Sequence, residues 1–198
     1  MTAAQADLAR ARNEFAGTLI DSPRVEDGAA IWRIARDSEV LDLNSSYSYL
    51  LWCRDFAATS VVARDTADGE PIAFVTGYLR PDRPGTLVVW QVAVDHGHRG
   101  RGLAGTLLEA LATRVSDRGV HTVETTITPD NTASDRLFTS FAERRGASLE
   151  REVLFDGGLF PEGTHQPEVL YRIAPIAPAA PTAPTPPTAA GARADASA

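Results

Sequence analysis

The stretch Val92-Ala93-Val94-Asp95-His96-Gly97-His98-Arg99-Gly100-Arg101-Gly102-Leu103-Ala104 holds the residue types of an anion cradle. A β-rich run ends, glycines and arginines alternate, and an apolar helical pattern begins. Glycine lets the backbone approach a ligand closely. The first N–H groups of a helix lack intrahelical acceptors and point at a phosphate with the positive end of the helix dipole behind them. Arg99 and Arg101 add guanidinium donors beside them. The spacing fits neither G-x-G-x-x-G nor G-x-x-x-x-G-K-[ST], and all nineteen basic residues are arginine, so no P-loop lysine exists. A strand-to-helix turn with glycines is structural about as often as functional, so it needs a second signal.

His165 is a second candidate. It lies in the loop Gly157-Gly158-Leu159-Phe160-Pro161-Glu162-Gly163-Thr164-His165-Gln166-Pro167, flanked by Glu162 and Glu168. A loop imidazole is commonly solvated and idle, yet between carboxylates it can carry charge or relay a proton near neutral pH. His96, His98 and His121 have no Cys or His partners at zinc spacing, so no metal is expected. Cys53 is the single cysteine and falls in a predicted helix with no nearby histidine, which argues against an acyl-enzyme and excludes an intrachain disulfide. Without lysine, Schiff-base chemistry on a side-chain amine is also excluded.

The function classes narrow further with charge. Nineteen basic against twenty-six acidic residues give a net charge of −7, which disfavours non-specific binding to nucleic acid or to an acidic membrane surface. The two Arg-Gly pairs of the anion turn, Arg99-Gly100 and Arg101-Gly102, sit between regular elements, unlike an RNA-binding run. No stretch approaches the roughly 18 apolar residues of a membrane span, and the first twenty residues lack a signal-peptide core, so a cytoplasmic location is expected.

The elements that must position these groups read as a mixed α and β domain over residues 18–174. Residues 1–17 read as a flexible leader, and the Ala/Pro/Thr-rich stretch 175–198 as a disordered tail that includes Ile176. Asp27–Arg36 is a predicted helix burying Ile31 and Ile34. Asn44 is an N-cap candidate for an aromatic-rich helical turn running to Phe56. Residues 60–64 and 71–79 read as strands joined through Asp68-Gly69, and 86–94 as a central strand. Leu103, Leu107, Leu108, Leu111 and Val115 share one helical face, ended at Gly119. Residues 121–128 alternate as a strand. A helix follows from Pro129-Asp130-Asn131, with Ala133, Leu137, Phe138 and Phe141 on one face. Strands are predicted at 148–155 and 168–173.

Arg99-x-x-Gly102-x-Ala104 after a Val-x-Val strand resembles the pyrophosphate motif of the GNAT acetyltransferases, which use acetyl-CoA. About thirty residues on, Asn131-Thr132-Ala133-Ser134-Asp135-Arg136-Leu137-Phe138 resembles that family's second cofactor motif. The resemblance implies an α/β (α+β) GNAT fold: a mixed sheet of about six to seven strands flanked by about four helices, with acetyl-CoA in a central V-shaped opening. It implies that main-chain groups of Val92 and Val94 bond the pantetheine arm. The turn of Arg99, Gly100, Arg101, Gly102, Leu103 and Ala104 would hold the pyrophosphate, with Asn131 and Ser134 completing the cofactor site. An exposed backbone N–H near Val92 would polarise the thioester carbonyl.

A narrower resemblance, to the branch of this family that acetylates the γ-amine (N4) of L-2,4-diaminobutyrate in ectoine synthesis, rests on four segments. They are 41–49 (LDLNSSYSY), Val89-Trp90-Gln91, 124–131 (ETTITPDN) and Phe160…His165…Glu168-Val169-Leu170-Tyr171. It implies a homodimer and a substrate pocket drawing on Asp42, Asn44, Tyr47, Trp90, Glu162 and Glu168. Such a substrate needs a carboxylate for its ammonium group, donors for its carboxylate, and aromatic walls. Singly, Tyr47, Tyr49 and Trp90 are equally core aromatics, and Asp42 a helix-end stabiliser. Many family members carry Tyr where Phe138 stands, so the thiolate proton would come from Tyr49 or His165, or the thiolate would leave unprotonated. Glu124, Asp42 and His165 through water are the candidate bases. Two other readings stay open: acetylation of another small amine, and a catalytically silent acetyl-CoA-sensing module.

Overall fold

The computed structural model describes residues 14–15, 18–66, 69–161, 163 and 165–176. One sheet of eight strands runs in the order β1-β2-β3-β4-β5-β6-β8-β7. These are β1 (Glu14–Phe15), β2 (Thr18–Asp21), β3 (Val61–Arg64), β4 (Pro71–Arg80), β5 (Arg83–Val94), β6 (Thr122–Ile127), β7 (Ser148–Phe155) and β8 (Glu168–Ala174). Four α-helices flank it: α1 (Gly28–Asp37), α2 (Ser46–Asp55), α3 (Leu103–Ser116) and α4 (Thr132–Arg145). The expected mixed sheet with four helices is present, lengthened by the two-residue β1 at one edge.

Every strand pair is antiparallel except β5–β6, because α3 forms the crossover that a parallel connection requires. That parallel pair is short. Thr86, Leu87 and Val88 register with Thr122, Val123 and Glu124, and then the two strands part. β5 runs on to Val94 and β6 to Ile127, so a V opens at the sheet's centre.

A β-bulge sits beside that opening. Thr76 pairs with Gln91 and Gly77 with Val89, which leaves Trp90 as the extra residue on β5. The insertion reverses the alternation of faces. Leu87 and Val89 belong to one core, Val92 and Val94 pack against the same core, and Ala93 belongs to the other. Gly77 is required here: a Cβ would lie 2.7 Å from the Val88 carbonyl oxygen and 3.1 Å from that of Thr59.

The larger core holds the predicted apolar face of α3, Leu103, Leu107, Leu108, Leu111 and Val115, together with Phe138, Phe141 and Ala142 of α4. On the opposite face Ile31, Ile34 and Ala35 of α1 and Tyr49 and Cys53 of α2 pack on Val62, Phe74 and Ala93. α1 is further anchored by Asp27, whose carboxylate accepts from both terminal nitrogens of Arg64 at 2.8 and 2.5 Å in a buried pair.

Four sequence-based expectations change. The N-cap of α2 is Ser45, which accepts from the Ser48 N–H, and Asn44 is released to line a cavity. Ala133 is exposed, because the buried stripe of α4 runs through Phe138, Phe141 and Ala142. The leader's Glu14 and Phe15 pair with Leu19 and Thr18. Ile176, assigned to the tail, is fully buried in the larger core, its N–H donating to the His121 carbonyl and its own carbonyl accepting from Arg145. An aliphatic side chain that reaches a core vacancy outweighs the Ala/Pro composition around it. Asp68, and the tail from 177 onward, lie outside the described residues.

Candidate active site

The glycines of the anion turn adopt the conformation that glycine alone takes readily. Gly100 has φ +77° and Gly102 φ +75°. A Cβ built on either meets nothing within 4 Å. Gly102 is the N-cap of α3, and the first intrahelical acceptor there is its carbonyl, bonded by the Thr106 N–H at 3.1 Å. The N–H groups of Leu103, Ala104 and Gly105 therefore precede the helical ladder and face outward. They border a groove of about 660 Å³ lined by Val94, His98, Arg99, Gly100, Gly102, Leu103, Ala104, Arg136, Ser140 and Arg144, among others. Bare amides at a helix N-terminus, guanidiniums and room where side chains would stand fit a diphosphate.

Of the residues expected at that cofactor site, Val94, Arg99, Gly100, Gly102, Leu103 and Ala104 line the groove. Arg99 also donates its Nε–H to the Val94 carbonyl at 3.2 Å. Arg101 is exposed and outside the lining. Val92 is half-buried on β5, past the last residue paired with β6. Asn131 caps α4, its Oδ1 accepting from the Ser134 N–H at 3.0 Å, and it faces the neighbouring cavity rather than the groove. His98, on the groove wall, lies 3.2 Å from Asp95 and 3.3 Å from Asp65.

That neighbouring cavity, about 910 Å³, occupies the V and its rim. It collects residues distant in sequence: Asp42 and Asn44 before α2, Trp90 at the bulge, Glu124 to Thr128 of β6 and its end, Asn131, and His165 and Glu168 at the start of β8. Trp90 is 51% exposed and stacks on Trp52 at 6.2 Å, forming an aromatic wall with Tyr78. Glu124 is nearly fully buried and takes two guanidinium donors, Arg80 Nη1 on Oε2 and Arg172 Nε on Oε1, each at 3.0 Å.

His165 is fixed on both faces of its chemistry. Its ring stacks on Phe160 at 3.7 Å between centroids. Nδ1 lies 2.6 Å from the Gln166 carbonyl, which can only accept, so Nδ1 carries the hydrogen. In the neutral ring Nε2 is then the basic nitrogen, and it lies 4.0 Å from Glu168.

Two expected site residues are placed elsewhere. Tyr47 is 65% exposed on α2, outside the cavity lining, because its position points away from the sheet. Tyr49 is completely buried, and its hydroxyl donates to Gln91 Oε1 at 3.0 Å, so it contacts the site only through Gln91. Glu162 lies outside the described residues. Phe138 belongs to the core beneath α4. Cys53 is buried, and burial pushes its thiol up to about 12, which removes the thiolate a nucleophile needs.

Sequence reasoning missed Arg80 and Gln91. Arg80 closes β4 beside a Pro81-Asp82 turn and lines the cavity; its link to Glu124 spans 44 positions and leaves no local signal. Gln91 bridges Tyr49 and the Asp42 carbonyl, to which its Nε2 donates at 2.8 Å.

The profile of the acetyltransferase (GNAT) family matches residues 26–142, and the chain belongs to that family, whose members are acyltransferases using acetyl-CoA. Among curated relatives, the L-2,4-diaminobutyric acid acetyltransferase of Streptomyces anulatus is 76% identical over 176 residues, covering 88% of this chain and 98% of the relative. The enzyme of the same name from Streptomyces coelicolor is 70% identical, covering 89% and 98%. Among solved structures, the diaminobutyrate acetyltransferase of Paenibacillus lautus, in complex with its substrate L-2,4-diaminobutyric acid and coenzyme A, superposes with a TM-score of 0.75 at 37% identity. That likeness covers 80% of this chain and 95% of the other. Within the family, the chain thus groups with the diaminobutyrate acetyltransferases.

Proposed function

We propose that this protein transfers the acetyl group of acetyl-CoA to the γ-amine (N4) of L-2,4-diaminobutyrate, the acetylation step of ectoine synthesis. The observation that carries the reading is the pairing of two chambers at one strand opening. A groove ending in bare helix amides suits the diphosphate, and beside it a cavity rich in carboxylates suits a diamino acid. The curated relatives and the substrate complex of the Paenibacillus lautus enzyme support the choice of amine.

Acetyl-CoA held in the groove would supply the activated acyl thioester. The chain's own residues do the rest. Beyond Val88 the edge of β5 has no β6 partner, so its backbone groups are free to bond the pantetheine arm and polarise the thioester carbonyl, the role assigned to Val92 and Val94. Asn131 and the amides from Arg99 to Ala104 hold the cofactor in register. Asp42, Asn44 and Glu168 receive the γ-amine, and Trp90 excludes water. His165 Nε2 accepts the ammonium proton through water, which leaves a neutral amine to attack. Transfer is direct, through a ternary complex, and positioning supplies much of the rate. The amine nitrogen bonds to the acetyl carbon, the C–S bond breaks, and coenzyme A leaves as its thiolate. The second proton of the attacking nitrogen passes to that thiolate or to water.

The protein works as a cytoplasmic homodimer in this reading. Acetyl-CoA is a cytoplasmic metabolite. Val153, Leu154 and Phe155 on the edge strand β7, with Leu159 beyond it, are 43–70% exposed and form an apolar surface for a second copy. Sedimentation analysis tests the dimer. Incubation with acetyl-CoA and diaminobutyrate, followed by NMR of the product, tests the activity. Acetyl on N4 is expected; acetyl on the α-nitrogen, or no acetylation, overturns the reading.

A further inference from the structure

The rim of the cavity carries five carboxylates, Asp42, Asp82, Glu124, Asp130 and Glu168. Among the described residues lining it, one guanidinium faces them, that of Arg80. A cavity for amines needs acids. An arginine at its wall needs another explanation.

Pairing with Glu124 does not exhaust Arg80. Glu124 already receives Arg172 Nε at 3.0 Å, so two half-buried guanidiniums meet on one buried carboxylate. The remaining acids that touch the two arginines are Asp82, Glu150 and Glu152, whose side chains are 60%, 71% and 61% exposed. Exposed pairs of that kind are screened by water and hold a guanidinium weakly. Asp82 accepts from Nε and Nη2, and Glu124 from Nη1, which occupies three of the five N–H donors of Arg80 and leaves two. Those two are a pair of charge-assisted donors in an otherwise acidic wall.

From this we infer that the Arg80–Glu124 pair reads the zwitterionic head of an α-amino acid, Arg80 binding its α-carboxylate while Glu124 accepts from its α-ammonium. Opposite charges 3.0 Å apart on the wall match opposite charges on one α-carbon of the ligand. A head fixed in this way leaves the γ-amine as the end free to reach the thioester, so the pair sets which nitrogen reacts. Arg80 becomes a specificity-determining residue, which excludes amines lacking a carboxylate. This assignment rests on diaminobutyrate being the substrate.

The test compares diaminobutyrate with 1,3-diaminopropane, the same diamine without its carboxylate. In the unmodified protein the ratio of kcat/KM for the two should favour diaminobutyrate by about 100-fold, the usual worth of paired bonds to a charged group. Arg80→Gln should bring that ratio close to one, and Arg80→Lys, which keeps the charge and loses the fork, should give an intermediate ratio. Coenzyme A uptake by calorimetry reports whether each variant is folded. A ratio that Arg80→Gln leaves unchanged overturns the proposal. Should Arg80→Gln not fold, the Arg80→Lys ratio decides alone: unchanged discrimination overturns the assignment, and a reduced one supports it. Failure of the unmodified protein to acetylate diaminobutyrate at all is a different result, which removes the functional reading on which the assignment stands.

Discussion

The Tyr49 hydroxyl donates to Gln91 Oε1 at 3.0 Å inside the smaller core, and Gln91 passes the restraint on by donating Nε2 to the Asp42 carbonyl at 2.8 Å. The chain of contacts links α2, the central strand and the loop that carries Asp42 to the cavity. Tyr49 is therefore a positioning residue, since it has no surface in the cavity from which to hand over a proton. Tyr49→Phe should raise KM for diaminobutyrate several-fold, leave KM for acetyl-CoA nearly unchanged, and leave the pH dependence of kcat as it was. A loss of kcat with a displaced pH profile would restore Tyr49 to the proton path.

That outcome shows where sequence is legible and where it stops. Periodicity located α3 and five of its six buried side chains, because a helix must repeat its apolar face every 3.6 residues. The glycines of the anion turn were legible because their positive φ is a local demand. The bulge at Trp90 was not. One extra residue in β5 exchanges the faces of Val92 and Ala93, and a run as apolar as 86–94 carries no alternation that would betray it. Tyr47 and Tyr49 illustrate the same limit: two residues apart on a helix, one ends in solvent and the other in the core. Arg80 and Glu124 meet only because β4, β5 and β6 are neighbours in the sheet.

Gly102 separates binding from stability. Alanine there pays the left-handed backbone penalty, about 1–2 kcal/mol, and no steric clash, since nothing lies within 4 Å of the added carbon. The methyl would stand in the open space before the α3 amides. Gly102→Ala should therefore weaken coenzyme A binding tenfold or more in calorimetry while lowering thermal stability only modestly. Equal affinity in the variant would show that the diphosphate sits elsewhere.

Cys53 should be chemically silent. Its thiol, pushed up to about 12 by burial, should resist iodoacetamide at pH 8 in the folded protein and react once the protein is unfolded. Cys53→Ala should keep acetyl transfer within about twofold, as direct transfer demands. The raised value also has a stability consequence. The unfolded thiol ionises near ~8.5, so the Cys53 contribution is complete below that pH and declines as pH rises toward about 12, by at most about 1.4 kcal/mol per pH unit. Denaturant titrations at pH 8 and pH 10.5 should show this decline in the natural chain and a smaller one in Cys53→Ala.

His165 carries the remaining catalytic argument. The Gln166 carbonyl holds the Nδ1 hydrogen at 2.6 Å, and the stack on Phe160 fixes the ring plane, so Nε2 faces Glu168 and the cavity in one orientation. A base in that position serves the ammonium only with Nε2 free to accept, as the Nδ1 hydrogen bond to Gln166 leaves it in the neutral ring, and a pH–rate profile reports whether it does. His165→Ala should lower kcat/KM for diaminobutyrate about 100-fold, within the range typical of general bases, and flatten the ascending limb of the profile. His165→Gln, which keeps a polar side chain but no base, should behave as the alanine variant does. Phe160→Leu should fall between them, because it leaves the imidazole in place and removes only the stacking face that orients it. If the ascending limb persists in His165→Ala, the proton leaves by another group, and the histidine merely shapes the mouth of the cavity.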